Sequence, residues 1–324
     1  MSLPKGPGSI EGLATADFAP SLATGSSSYE IAIAVPPASA GFGPRIALAY
    51  DSGGGVTEIG IGWRVIGTAK VKRRTEDGLP RFDDTDSFGL VGLGTPSELL
   101  EVTPGTYRPS VEDGSFVRLG RSEEDRDTWE ARTKAGRTLL FGGAGYLEAE
   151  GDHVSASLLR EERDRHGHSI RYEWDTSAGH ALLTRVVWNA FDAASTNELE
   201  FLYEARPDTH RLFSSGIRQT ITKRLVSVRV AHGGSLVRRY DLAYGDVGSP
   251  GASFGGARAP GRHEPDAGVA LRVHGVSPGN RRALDERVDR RRQRRPDGGD
   301  AGRARALSPG SGRCHRGHGR RRTA

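Results

Sequence analysis

Cysteine is almost absent from this chain of 324 residues: Cys314 alone occurs, close to the C-terminal end. Everything before it can form no disulfide, build no Cys-based zinc site and offer no thiol nucleophile, so its stability rests on packing. Long apolar runs are missing as well. No stretch approaches the roughly 18 residues needed to span a bilayer, and Met1-Ser2-Leu3-Pro4-Lys5-Gly6 lacks the apolar run of about 7–15 residues of a Sec signal. Release from a cell would then need another route or lysis. Helical periodicity is also scarce. The one charged stretch that could imitate a helix, Leu158 to Arg165, is short and carries no sustained 3.6-residue apolar stripe, so it reads as a strand end and turn.

What is abundant is glycine and proline, 45 and 17 residues, against only 35% hydrophobic residues. That mixture describes many short elements joined by turns and predicts an all-β fold of antiparallel multi-strand sheets. The first strand signal is Tyr29, Ile31, Ile33 and Val35 alternating with smaller or polar residues, stopped by Pro36-Pro37. Ile46, Leu48 and Tyr50 repeat the pattern and predict an antiparallel partner across a loop containing Gly and Pro. Asp51-Ser52-Gly53-Gly54-Gly55 and Ile59-Gly60-Ile61-Gly62-Trp63 follow. Glycines so dense in and beside a strand signal positive φ angles or a second backbone passing close by, with Trp63 covering the gap. Leu199/Phe201/Tyr203, Val226/Val228/Val230 and Tyr240/Leu242/Tyr244 are further strand patterns.

The formal charge of +5 conceals a division. Residues 251–324 hold 18 Arg, no Lys and 7 acids, a net of +11, which leaves −6 for residues 1–250. The chain is therefore divided into an extended arm over 1–28, a β domain over 29–250 and an Arg/Gly/Ala/Pro tail over 251–324. Phe254 is the last aromatic, and the tail buries too little apolar surface to offset an ordering cost of roughly 1–2 kcal/mol per residue, so disorder is expected there.

Gly41-Phe42-Gly43-Pro44-Arg45-Ile46-Ala47-Leu48-Ala49-Tyr50-Asp51-Ser52-Gly53-Gly54-Gly55, with Gly60-Ile61-Gly62-Trp63, resembles the N-terminal domain of the SpvB family, the virulence-plasmid B proteins and B components of insecticidal toxin complexes. The opening Ser2 to Ile10 is similar too. The resemblance continues through Arg74 to Phe82, Asp84 to Phe88, Asp164 to Tyr172, Phe201 to Asp208 and Val237 to Tyr240, in the family's order over about residues 2–245. It implies a β-rich, non-catalytic structural module of a bacterial toxin, forming part of the shell around a toxic polypeptide. Its implied partners are other toxin-complex subunits or the C-terminal part of the same toxin. The implied location is cytoplasmic before release and extracellular afterwards, as part of the toxin. Gly41, Phe42, Gly43, Pro44, Tyr50, Ser52, Gly53, Gly60, Gly62 and Trp63 are the motif residues, with a structural role. Family members continue into a β-propeller, and SpvB itself ends in an ADP-ribosyltransferase domain; neither continuation follows Tyr244 here. Gly, Ala, Arg and Pro have codons built from G and C, so residues 251–324 read as the frameshifted or truncated continuation of a GC-rich gene.

Candidate chemical sites are few, and no catalytic, cofactor or metal residue is expected. His166-Gly167-His168 near Asp164 offers ligand types for zinc or iron but fits no closed motif, and reads as a turn. Asp83, Asp84 and Asp86 lack the glycine and distal Glu of a calcium loop. Glu123-Glu124-Asp125 and Glu161-Glu162 read as solvated surface rather than a glycosidase pair. Gly142-Gly143-Ala144-Gly145 lacks the Lys and following helix of a phosphate loop, and no Gly-x-Ser-x-Gly elbow occurs. Trp63, Trp129, Trp174 and Trp188 read as packing residues. The alternative function is nucleic-acid binding through the tail, by Arg287 and Arg290-Arg291-Arg292-Gln293-Arg294-Arg295, although the tail has no aromatics for base stacking.

Overall fold

The computed structural model describes residues 19–20, 26–177, 180–244 and 269–275, of which the first and last runs are described by backbone alone. Four antiparallel strands form a small sheet in sequence order: β1 (Ala19–Pro20), β2 (Ser27–Ala32), β3 (Ala47–Asp51) and β4 (Trp63–Ile66). β2 thus begins two residues before the predicted domain boundary. The register sets Tyr29 opposite Tyr50 and Tyr50 opposite Trp63, an aromatic row across three strands. Trp63 meets Tyr29 edge-on at 6.2 Å and Tyr50 at 5.3 Å, the close cross-strand contact of large rings that fixes register.

The chain then builds β5 (Lys70–Arg73), β6 (Phe88–Val91), β7 (Ser97–Thr103), β8 (Thr106–Pro109), β9 (Arg118–Arg121), β10 (Trp129–Arg132), β11 (Thr138–Phe141), β12 (Leu147–Glu150) and β13 (His153–Arg163). β5 to β11 form an antiparallel meander. β13 pairs with both ends of it, with β11 through Leu159 to Arg163 and with β5 through Ala156 to Leu158. The result is a closed eight-stranded barrel, which the strand patterns had not separated from open sheets. Closure removes the exposed ladder edges, and eight strands leave an interior that side chains just fill. Phe88, Tyr107 and Trp129 come from the alternate strands β6, β8 and β10 and meet inside, each ring 5.0–6.5 Å from the others. Two arginines join them. The Arg121 guanidinium lies over Phe88 and Trp129, and that of Arg73 over Phe88 and Phe82. Both are nearly buried, so their donors must be satisfied internally. Arg73 bonds the carbonyl of Val154 and the carboxylate of Asp86, and Arg121 the carbonyl of Arg126.

β13 also starts a long antiparallel sheet: β14 (Ser169–Asp175), β15 (Leu182–Trp188), β16 (Asn197–Ser214), β17 (Ile217–His232), β18 (Ser235–Tyr244) and β19 (Val269–Gly275). The alternating runs at Leu199, Val226 and Tyr240 lie in β16, β17 and β18. One buried core joins the small sheet (Ile31, Leu48, Trp63), the barrel (Leu119, Phe141) and the long sheet (Leu199, Val228, Tyr240).

The tail requires a correction. Residues 251–324 were expected to lack structure throughout, yet Val269–Gly275 forms β19, in register with β18 from Tyr244 opposite Val269 to Arg238 opposite Gly275. Val269, Leu271 and Val273 alternate with other residues as a strand requires, a short pattern overshadowed by the surrounding composition. The rest of 251–324, including Arg287, Arg290–Arg295 and Cys314, lies outside the described residues, as do residues 1–18.

Candidate functional site

The ten motif residues run along the chain from Gly41 to Trp63. They occupy two stretches of chain that fasten the small sheet onto the barrel and the long sheet. The first is the turn between β2 and β3. Gly41 ends a short 3-10 turn at φ +71°, and its amide donates to the carbonyl of Ala38 at 3.0 Å. Phe42 is buried, with the Arg137 guanidinium of the barrel 5.2 Å from its ring centre. Arg137 in turn faces Glu162 at 3.7 Å, and Glu162 accepts a hydrogen bond from the Tyr172 hydroxyl at 2.7 Å. Burial pushes Glu162 up, against the pull of Tyr172 and Arg137. Gly43 lies beside the Trp188 indole, Pro44 is buried, and the Ser39 amide donates to Asn189 Oδ1 at 3.0 Å. On the preceding side, the Ala34 amide donates to the Tyr240 hydroxyl at 2.8 Å.

The second stretch is the excursion between β3 and β4. Here the chain makes a looped hairpin closed by a bridge between Val56 and Ile61. The Ser52 side chain accepts from the Ser27 amide at 2.9 Å, the Gly53 amide donates to Asp51 Oδ1 at 2.8 Å, and the Gly60 carbonyl accepts from the Thr57 amide at 3.2 Å. The Thr57 hydroxyl also donates to the carbonyl of Trp63. Two strands of backbone touch at Gly54 and Gly62. A Cβ on Gly54 would come within 2.9 Å of Gly62 Cα; one on Gly62, at φ +78°, would come within 2.6 Å of the Asp51 carbonyl oxygen. Close approach and positive φ therefore both require glycine at Gly62.

The loop tip, Thr57-Glu58-Ile59, is driven into the long sheet. Ile59 is buried, the Leu225 amide of β17 donates to the Glu58 carbonyl at 2.9 Å, and Arg206 of β16 donates to the Thr57 carbonyl at 2.9 Å. Arg206 reaches the tip because the β16–β17 ladder breaks between Ala205 and His210, which releases Arg206-Pro207-Asp208-Thr209 from pairing. Pro207 has no amide to give a ladder. The Glu58 carboxylate lies 3.6 Å from His180 Nε2, an ion pair too long for a hydrogen bond, with both side chains largely enclosed. Burial pushes the Glu58 carboxyl up and His180 pulls it down, with a net lowering; burial pushes His180 down and Glu58 lifts it, with a net rise.

Neither Glu58 nor His180 stood out in the sequence, whereas Tyr240 lay in a strand pattern and closed the family-like piece from Val237. Arg206 did carry a signal, since Arg206-Pro207-Asp208 closes one of the family-like pieces. The remaining candidates are spent on local structure. Asp164 accepts the amides of His166 and His168 and the His168 ring at 2.7 Å, closing the β13–β14 turn. Burial pushes its carboxyl up, but those bonds hold it down at about 2. Asp83 caps Thr85, Asp84 pairs with Arg126, and Asp86 accepts from Arg73, Arg81 and Phe82, so the three carboxylates face different partners. Trp63, Trp129 and Trp188 are buried, and Trp174 donates to the Leu159 carbonyl at 2.8 Å.

Residues 21–201, which contain both stretches, match the family model for the Salmonella virulence plasmid 65kDa B protein. The chain belongs to the SpvB family. Its curated relatives include the mono(ADP-ribosyl)transferases SpvB of Salmonella typhimurium and Salmonella dublin, both 36% identical, with 41% of this chain and 27% of the relative covered. The chain thus spans about a quarter of the length of those SpvB proteins. Among solved structures, the N-terminal domain of effector protein SpvB from Salmonella typhimurium strain LT2 is similar over 76% of this chain and 100% of that one, at TM-score 0.57 and 20% identity. The TcdB2–TccC3 complex is similar over 84% of this chain and 17% of that one, at TM-score 0.61 and 20% identity. The Photorhabdus luminescens Tc holotoxin pore gives TM-score 0.59 at 19% identity, over 83% and 16%. These likenesses establish the SpvB N-terminal fold.

Proposed function

We propose that the chain is a non-catalytic structural module of a bacterial toxin and forms part of a shell that encloses a toxic polypeptide. The observation that carries this reading is how the motif residues are used. Phe42 meets Arg137 of the barrel, and the loop that Gly62 shapes seats Thr57 and Glu58 against Arg206 and Leu225 of the long sheet, so this stretch of chain joins the small sheet to the other two, which is what a rigid wall element needs. The likeness to the whole SpvB N-terminal domain and to part of the TcdB2–TccC3 complex supports the same reading. The transferase activity in the names of the Salmonella relatives belongs, on the family pattern, to a domain beyond this one. The module's partners would be toxin-complex subunits or the remainder of a longer toxin, and it would act outside the cell after release from the cytoplasm. Among the described residues, no helix is long and apolar enough to cross a membrane.

The test is co-expression with toxin-complex subunits of the TcdB2–TccC3 type, followed by limited proteolysis. The expected result is a co-purifying assembly in which the toxic segment survives. Failure to assemble, an unprotected segment, or transfer of ADP-ribose from NAD by the chain alone overturns the reading.

A further inference from the structure

The outer wall of the barrel carries a cleft of about 550 Å³ that the junction does not use. Its floor is Gly120 of β9 with Leu140 of β11, and its rim is formed by Arg118 of β9, Arg132 of β10 and Arg160 of β13, with Glu130 between them.

Three features of this cleft are unexplained by folding alone. Gly120 sits inside a strand without a positive φ, and a Cβ placed there meets nothing within 4 Å. Neither backbone conformation nor a close neighbour demands glycine, and the β9–β10 ladder runs through it without a register shift, so it is no bulge in that ladder; what the missing side chain leaves is room for a ligand or another backbone to come close. Next, Arg118 and Arg132 are direct cross-strand partners on the same outward face. Like charges set opposite one another destabilise a sheet, a cost that an anion held between them reverses. Finally, these cations have spare capacity. The Arg118 side chain has no hydrogen bond or ion pair among the described residues, and that of Arg160 has one long bond, 3.4 Å, to the Gly142 carbonyl. Arg132 is held by Glu130 at 2.6 Å, the only acid in the lining.

We propose that this cleft binds an acidic segment of a second polypeptide in extended form, its backbone crossing Gly120 and its carboxylates taken by Arg118, Arg132 and Arg160. Arginine favours carboxylates through paired hydrogen bonds. With Arg118, Gly120 and Arg132 exposed and Leu140 and Arg160 half-buried, the cleft is an open trough that suits a strand laid along the wall rather than a small molecule, whose sites enclose most of its surface. A nucleic acid fits less well, because Glu130 stands in the middle and no exposed ring is present for stacking. This site lies on the barrel rather than the junction, so it stands or falls independently of the shell reading.

The test is hydrogen exchange on the whole chain, with and without a short Glu-Ser repeat peptide, read at residues 118–132. This local readout separates the cleft from polyanion binding by the basic residues of 251–324. Slowed exchange is expected there. Gly120→Leu, which fills the floor, and Arg118→Glu, which removes the like-charge pair, should each raise the half-saturating peptide concentration about tenfold without lowering the unfolding temperature, because both positions face solvent. Absence of slowing, or full affinity in either variant, overturns the proposal. So does slowing by a heparin oligosaccharide or inorganic phosphate without slowing by the peptide. Should Arg118→Glu fail to fold, Arg118→Gln carries the same expectation at smaller size.

Discussion

Six of the eight ladders of the barrel join strands consecutive in sequence, whereas the junction is tied by bonds between residues far apart. The Ala34 amide meets the Tyr240 hydroxyl across 206 positions, Ser39 meets Asn189 across 150, and Arg206 meets Thr57 across 149. Local pairing closes short loops at small entropic cost, and the barrel adds a filled interior without ladder edges. The junction can form only after most of the chain is in place. The barrel should therefore keep its protection against hydrogen exchange when the junction is loosened, and the converse should fail, because β13 supplies both the barrel's closing strand and the first strand of the long sheet.

Breaking the barrel gives the largest effect. Trp129 is 1% exposed and touches Phe88, Tyr107 and Arg121. Trp129→Ala should cost about 3–5 kcal/mol, a large part of the stability of a typical domain, and should lower the denaturant midpoint of barrel and junction together. Gly62→Ala comes next. The positive φ alone costs about 1–3 kcal/mol, and the contact with the Asp51 carbonyl adds to it. Exchange should quicken at the Asp51 and Leu225 amides while β6, β8 and β10 stay protected; equal loss in both regions would abolish the contrast. Tyr240→Phe leaves the Ala34 amide without its partner and should cost about 1–2 kcal/mol, again confined to the junction.

The two regions were not equally legible in the sequence. Strand existence was clear where alternation ran over several residues, as at Tyr29 to Val35 and Leu199 to Tyr203, and the glycines at Gly54 and Gly62 announced a close backbone approach that the structure contains. Barrel closure was not readable, because it depends on β13 pairing on both sides, and a strand's sequence shows its faces but not its neighbours. Arg73 and Arg121 were hidden for a related reason: charged residues in a strand read as solvent-facing, and only rings from alternate strands make an interior where a guanidinium can rest. The ion pair of Glu58 and His180 joins a loop tip to the start of β15, a distance in sequence that no spacing rule spans. Arg118, Gly120 and Arg132 were likewise invisible as a group, since cross-strand register brings them together.

The smallest expected effect sharpens the contrast through pH. The folded value of His180 is raised from its ordinary 6.5: burial lowers it, and the Glu58 carboxylate with Glu148 overrides that, against Lys70. The stabilisation carried by the protonated ring is thus complete below about pH 6.5 and is lost as pH rises through the raised folded value. Glu58 is lowered from its ordinary 4.5, so its contribution is present above that value and lost only as pH falls through the lower folded one. Between these limits the pair is intact. Raising the pH into the alkaline range should therefore speed exchange of the Leu225 amide, which donates to the Glu58 carbonyl, beyond its intrinsic base-catalysed increase. Barrel amides such as that of Leu119 should follow the intrinsic increase alone. His180→Gln removes the titrating ring and should flatten the excess at Leu225; an excess of the same size in that variant would assign the pH dependence to groups outside the junction.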